Sequence, residues 1–152
     1  MKVVLQRVLN ASVVIDKTTC RTIEKGLLLL LGVAEGDTAE DAALLARKCA
    51  QLRIFEDDAG KLNISAQELG LDAMIVSNFT LCADTKKGRR PGFAKAAKQP
   101  ASEELYEHFV ACMRDMGLHD VQTGAFGADM QISLINDGPI TLVLDTEEWK
   151  QK

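Results

Sequence analysis

Five consecutive leucines, Leu27 to Leu31, followed by Gly32 and Val33, constrain this chain more than any other stretch. The run has no polar alternation and is far too short to span a bilayer, so it reads as a strand buried on both faces. A chain of 152 residues is long enough for one domain with a sizeable core around such a strand. After it, Thr38 stands three residues before Asp41, a capping-box signature. Ala42, Leu45, Ala46, Cys49 and Leu52 then recur at helical spacing, which predicts a helix over about 39–52. A second helix opens at Pro100-Ala101-Ser102, with Leu105, Phe109, Cys112, Met113 and Met116 as its apolar face and Gly117 as its stop.

The rest reads mainly as strands. Val3 and Leu5, then Val13 and Ile15, alternate in two short runs joined near Asn10-Ala11, which predicts a first hairpin. Asp16 to Thr19 forms a turn into a short strand at Cys20–Ile23. Ile54-Phe55 and Lys61–Ile64 flank a hairpin turn at Asp57–Gly60, and Ser65–Leu69 makes one helical turn. Ala73–Phe79 is a second buried strand. Residues 82–99 form a long polar loop with a short helix at Phe93–Ala97; a loop of that length inside a compact domain is usually functional or mobile. Asp120–Phe126, Met130–Ile135 and Ile140–Leu144 are three further strands, and Asp137-Gly138-Pro139 between the last two reads on its own as a hairpin turn. The expected fold is α+β: a mostly antiparallel, curved or barrel-like sheet with two main helices, in a single domain covering 1–152.

Composition narrows the chemistry. The four cysteines, Cys20, Cys49, Cys82 and Cys112, are scattered and form neither a disulfide framework nor a zinc site, so reduced cytosolic thiols and no bound metal are expected. No signal peptide is visible at the start. A net charge of −4 argues against a dedicated binder of long nucleic acid. Against that background, Lys86, Lys87, Arg89, Arg90, Lys95 and Lys98 cluster in one loop, as phosphate-binding groups do. His108 and His119 sit in no motif and read as surface histidines, and Glu56-Asp57-Asp58 reads as a solvated turn. There is no G-x-S-x-G elbow and no H-E-x-x-H. Thr80 is the one hydroxyl available to a nucleophile hypothesis, and no base stands next to it in the sequence.

Two stretches together resemble the D-aminoacyl-tRNA deacylase family: Ser77-Asn78-Phe79-Thr80-Leu81 and Asn136-Asp137-Gly138-Pro139-Ile140-Thr141. The likeness extends to the opening Met1–Val8, to Arg53–Ser65 and to the basic loop Lys87–Phe93. Asn78 departs from it, standing where the family usually has Gln and reaching one methylene less far. The resemblance implies hydrolysis of the ester between a D-amino acid and the 3′ end of tRNA, in the cytoplasm, by a homodimer without metal or organic cofactor. It implies a catalytic role for Ser77, Asn78, Phe79 and Thr80, substrate binding by Asn136, Gly138, Pro139 and Thr141, and tRNA binding by Lys86, Lys87, Arg89 and Arg90. It further implies that Gly138-Pro139 is a cis-proline motif that enters the partner's site and excludes L side chains by its carbonyls. Glycine has no Cβ to exclude, so glycyl-tRNA is expected to be cleaved as well. Two alternatives stay open: a non-catalytic tRNA- or protein-binding module of the same fold, and an esterase with Thr80 as covalent nucleophile.

Overall fold

The structure is a computed structural model that describes residues 1–150. One long strand, β1 (Lys2–Ile15), carries the architecture. Val3 and Leu5 are buried in one apolar cluster and Val8, Ala11, Val13 and Ile15 in the other, so the inward alternation changes face at the exposed pair Leu9-Asn10. Along one edge β1 pairs antiparallel with β8 (Met130–Asp145). Along its other edge it pairs first with β3 (Gly26–Gly32), through Lys2–Val8, and then with β2 (Thr19–Ile23), through Ala11–Ile15. From β3 the sheet continues in parallel to β6 (Asp72–Ser77) and from there to β7 (Val121–Thr123). The sheet is therefore mixed: antiparallel around β1, parallel from β3 to β7. It curls until β2 approaches β7. Arg21 of β2 crosses that gap, donating from Nη1 to the Thr123 carbonyl at 2.7 Å and to its hydroxyl at 3.1 Å.

Two apolar clusters lie on the two faces. Leu27, Leu29 and Leu31 pack with Leu45, Phe109 and Met113 of the helices, while Leu28 faces Val8, Val13, Met74 and Val76 on the other side. The leucine run is thus buried on both faces, as its composition requires. Helix α1 (Ala39–Gln51) starts at the expected box: Thr38 Oγ1 accepts from the Asp41 N–H at 3.2 Å, and Asp41 Oδ2 accepts from the Thr38 N–H at 2.9 Å. A small hairpin, β4 (Phe55–Glu56) with β5 (Leu62–Ile64), leads to the short helix α2 (Ala66–Leu69). Helix α3 (Ala101–Arg114) buries Ser102, Tyr106, Phe109, Val110 and Met113. Its buried stripe is thus rotated from the predicted one: Ser102 and Tyr106 turn inward and line the cavity described below, while Leu105, Cys112 and Met116 stay half-buried. No helix among the described residues is long and apolar enough to cross a membrane.

Three expectations are corrected. There is no hairpin at Asn10-Ala11. Leu9 and Asn10 form a bulge in one continuous strand, two residues opposite Ile135, between the pairs Val8–Asn136 and Ala11–Leu134. Met130–Ile135 and Ile140–Leu144 are not two strands joined by a turn. β8 runs straight through, and Asp137 to Ile140 bulge out opposite the single residue Arg7, between the pairs Asn136–Val8 and Thr141–Gln6. Phe93–Ala97 forms no helix. That segment makes a single turn, Ala96 N donating to Phe93 O at 3.1 Å, and is tied to the end of β3 by backbone bonds from Glu35 N to Lys95 O at 2.8 Å and from Ala97 N to Val33 O at 2.9 Å.

Candidate active site

Buried apolar side chains fix β3 and β6, and both end at one cavity of about 340 Å³. Ser77, Asn78 and Phe79 line it, together with Leu31, Val33 and Met130, and with Gln99, Ser102 and Tyr106 at the start of α3. The chain leaves β6 in a tight 3₁₀ turn, Phe79–Cys82, seated directly on β3. Asn78 N donates to Leu31 O at 2.7 Å. Gly32 makes this seating possible: a Cβ there would lie 3.0 Å from Leu81 Cβ and 3.1 Å from Asn78 O. The first N–H groups of a helical turn have no partner within it, and among the described residues those of Phe79 and Thr80 donate to no protein acceptor. Tyr106 donates its buried hydroxyl to Ile75 O at 2.8 Å, and burial pushes its phenol well above the ordinary range, so it serves as a fixed wall.

Of the four residues of this stretch, Thr80 points elsewhere. It is exposed, does not line the cavity, and donates its hydroxyl to Asn78 Oδ1, a neutral amide oxygen. No histidine or carboxylate lines the cavity. Phe79 stands at the rim, 58% exposed, and meets Phe93 edge-on at 5.1 Å. That contact joins the basic loop to the cavity. Lys86, Lys87, Arg89 and Arg90 are all exposed on the loop, whose base is closed by the Asp84–Gly92 bridge. The N–H of Lys86 bonds to the Asp84 carboxylate and holds its pKa below the usual range.

The second stretch is built differently. Asn136 Oδ1 accepts from Ile140 N at 2.9 Å and its Nδ2 donates to Thr141 Oγ1 at 2.8 Å, so one side chain spans the bulge. Gly138 has φ +130°, a region L side chains rarely adopt, and the Gly138-Pro139 peptide is cis. Both residues are exposed. From below, the bulge rests on Arg7, a residue for which the sequence suggested no role. The buried Arg7 guanidinium donates from Nε to Asp137 O at 3.2 Å and from Nη1 to Ile54 O at 2.9 Å, pairs with the Asp137 carboxylate at 3.3 Å, and lies 5.9 Å from the Phe55 ring centre. Its inward phase in the alternation of β1 was the signal that a surface arginine would not carry.

The structure does not bring the two stretches together within one chain. Arg7 pairs with Leu27 and Leu27 with Ala73, so the bulge lies level with Ala73, four residues before Ser77 on β6. Three strand spacings of about 4.8 Å and four residues of about 3.3 Å put it roughly 15–20 Å from Ser77. Away from both, His119 is not a free surface histidine. Its Nδ1 lies 2.8 Å from Oδ1 of the buried Asp72, whose Oδ2 accepts from Glu24 N at 2.9 Å. His108 is exposed, 3.7 Å from the Cys112 sulfur, and burial raises that thiol's pKa.

The sequence profile of the D-Tyr-tRNA(Tyr) deacylase family matches residues 4–145. Proteins named D-aminoacyl-tRNA deacylase are similar over nearly the whole chain. The one from Anaeromyxobacter dehalogenans is 51% identical, covering 96% of this chain and 97% of its own. That from Halalkalibacterium halodurans is 50% identical, covering 97% and 100%. Among solved structures, the c-Myc DNA Unwinding Element Binding Protein superposes with a TM-score of 0.89 at 35% identity, over 95% of this chain and 98% of that one. A probable eukaryotic D-amino acid tRNA deacylase, at 15% identity and a TM-score of 0.82 over 94% and 97%, shares the fold. With a profile that spans the sheet, the cavity and the bulge, and relatives half identical from end to end, the chain belongs to the D-Tyr-tRNA(Tyr) deacylase family.

Proposed function

We propose that this chain, a D-aminoacyl-tRNA deacylase, builds each active site from two copies of itself. Ser77 to Thr80 of one copy handle the ester, and Gly138-Pro139 of the other, braced by Asn136 and Thr141, screen the α-carbon. Lys86, Lys87, Arg89 and Arg90 hold tRNA phosphates beside the site. The observation that carries this reading is the separation of the two stretches: the cavity is open, and the bulge that would complete it stands exposed at the far side of the sheet. The face of β8 supports it further. Met130, Ile132, Leu134, Ile140, Leu142 and Leu144 border the two apolar clusters yet are only half-buried, an apolar margin that a second copy would cover.

Ester hydrolysis needs a placed water, a base and donors for the oxyanion. The spare N–H groups of Phe79 and Thr80 are suited to the last role. With no histidine or carboxylate on the cavity wall and the Tyr106 hydroxyl committed to Ile75 O, the tRNA's own 2′-hydroxyl, next to the ester, helps place the water. Chirality is then judged by main chain: a D side chain points outward, an L side chain collides with the motif, and glycine passes.

Subunit complementation tests the two-copy site. Phe79→Ala and Gly138→Ala are each expected to abolish cleavage of D-aminoacyl-tRNA. Mixed and reassembled, they should regain about a quarter of wild-type activity, because half of the dimers are hybrids with one intact site of two. No recovery from well-folded hybrids overturns the shared site. In the same assay glycyl-tRNA should be cleaved and L-aminoacyl-tRNA spared. A terminal 2′-deoxyribose should stop turnover while leaving binding nearly intact. Thr80→Val should keep most of the activity, whereas a covalent Thr80 mechanism requires near-total loss.

A further inference from the structure

We infer that Ser102 is a specificity-determining contact: its hydroxyl donates to a ring nitrogen of the terminal adenine of the bound tRNA. The inference rests on the reading of the Ser77–Phe79 cavity as the active site and adds a residue to it.

Ser102 is only 6% exposed, at the second position of α3, and lines the cavity. Among the described residues its hydroxyl has no hydrogen-bond partner, yet no fully sealed side-chain oxygen or nitrogen is left unpaired. The Ser102 oxygen therefore keeps its small exposure, and the space beside it is the cavity. A hydroxyl held in this way is an uncommitted donor, and burying it against a ligand without a partner would cost binding energy. It is also placed to favour an acceptor. α3 is 14 residues long, its N-cap residue Pro100 supplies no side-chain cap, and the partial positive charge of its N-terminus faces the same space. The remaining wall is aromatic and apolar, from Phe79, Tyr106, Phe126 and Met130. A flat heteroaromatic group with an acceptor on one edge fits that combination. If the D side chain points out of the site, the part of the substrate with that chemistry is the terminal adenine, whose ring nitrogens accept and whose faces stack.

The test is inhibition of D-aminoacyl-tRNA cleavage by 5′-AMP, measured for wild type, Ser102→Ala and Ser102→Cys. Alanine is favoured over serine inside a helix, so the first variant should fold, and its melting curve checks this. Loss of one neutral hydrogen bond should weaken AMP inhibition and raise KM about 3- to 10-fold with kcat nearly unchanged. Ser102→Cys, which restores only a weak donor, should fall between the two. In wild type, one of the 1-, 3- or 7-deaza analogues of AMP should lose the same factor, and it should lose nothing further in Ser102→Ala. Equal inhibition of wild type and Ser102→Ala, or equal losses for all three analogues in both proteins, overturns the inference. Ala97→Phe, which fills the cavity, separates this from the underlying reading. If it abolishes cleavage while Ser102→Ala behaves as wild type, the cavity stands and Ser102 is inert. If a folded Ala97→Phe cleaves normally, the cavity is not the active site and the inference falls with it.

Discussion

The two stretches of the site are held in opposite ways. Ser77–Leu81 follows a strand whose residues Asp72 to Val76 are all buried, and it is seated on β3 by packing and one close backbone approach. Asn136–Thr141 lies in the middle of β8, a strand with no fully buried residue, and is held by hydrogen bonds from two side chains, Arg7 and Asn136. The first is as firm as the core. The second is as firm as a few polar contacts, and its far edge is open. A site assembled from a packed half and a hydrogen-bonded half should respond to different mutations in each.

The largest effect is expected at Arg7. Arg7→Ala leaves Ile54 O and Asp137 without their donor and a hole against Phe55. Truncating one partner of a buried, hydrogen-bonded charge typically costs about 3 kcal/mol, which urea unfolding would read directly. Deacylation should fall at least as far as for Gly138→Ala, because the bulge loses its support. Arg7→Lys keeps the charge but not the fork that reaches two elements, and should recover only part of the stability. If Arg7→Ala keeps full activity, the polar bracing of the bulge is irrelevant to function.

Next comes Gly138→Ala. Its φ of +130° is strained for any L residue, and a Cβ would lie 3.0 Å from both Ile140 N and Ile140 Cγ1. Backbone strain of this kind costs about 1–3 kcal/mol. Because the bulge is exposed and outside the core, stability should drop less than in Arg7→Ala while cleavage of D-aminoacyl-tRNA is lost. Equal loss of stability in the two variants would mean that the bulge is part of the folding core, against the contrast drawn above.

The same contrast explains what was legible in the sequence. The packed half was: an unbroken leucine run, a capping box and a buried strand announce themselves through burial and helical period. The hydrogen-bonded half was misread because its signals are local breakers inside a long-range pattern. Asn10-Ala11 and Gly138-Pro139 look like turns, and the strands do change face near them: Val3, Leu5, Ile140, Leu142 and Leu144 pack in one apolar cluster, and Val8, Ala11, Val13, Met130, Ile132 and Leu134 in the other. A bulge and a hairpin turn leave the same local mark, and only the pairing of both halves of β1 with the one strand β8 tells them apart. Arg7 was missed for the opposite reason: a charge is read as exterior even when its phase is interior. The cavity wall contributed by Gln99, Ser102, Tyr106 and Phe126 follows from how α3 and β7 pack, which no local pattern encodes.

A third, smaller effect sharpens the link between the cavity and the basic loop. Lys86, Lys87, Arg89 and Arg90 contribute nothing to either core, so replacing all four by Gln or Ser should leave melting unchanged. If each meets one phosphate, the slope of log K against log salt for tRNA binding should flatten by roughly 3, at about 0.7–0.9 per contact. The loss should be alike for all tRNAs. A changed preference between tRNAs with an unchanged slope would assign the loop to base reading.

The smallest effect belongs to His119, which lies beside the start of β6, remote from the cavity, and should therefore affect neither half of the site. The hydrogen bond to Asp72 raises its pKa above the ordinary 6.5, and the Asp72 charge adds to this. A histidine whose folded pKa is raised binds a proton more readily in the folded state. Its contribution to stability is therefore fully present below about pH 6.5 and is lost as pH rises through the raised folded value. His119 is exposed, so solvent screens the pair and the contribution is small. His119→Asn should lower the melting temperature slightly at pH 5.5 and leave it unchanged at pH 9, with cleavage of D-aminoacyl-tRNA the same as wild type at both. A deficit that grows with pH would reverse the sign and mean that the neutral imidazole is the stabilising form. A loss of activity without a loss of stability would tie this end of β6 to the site after all.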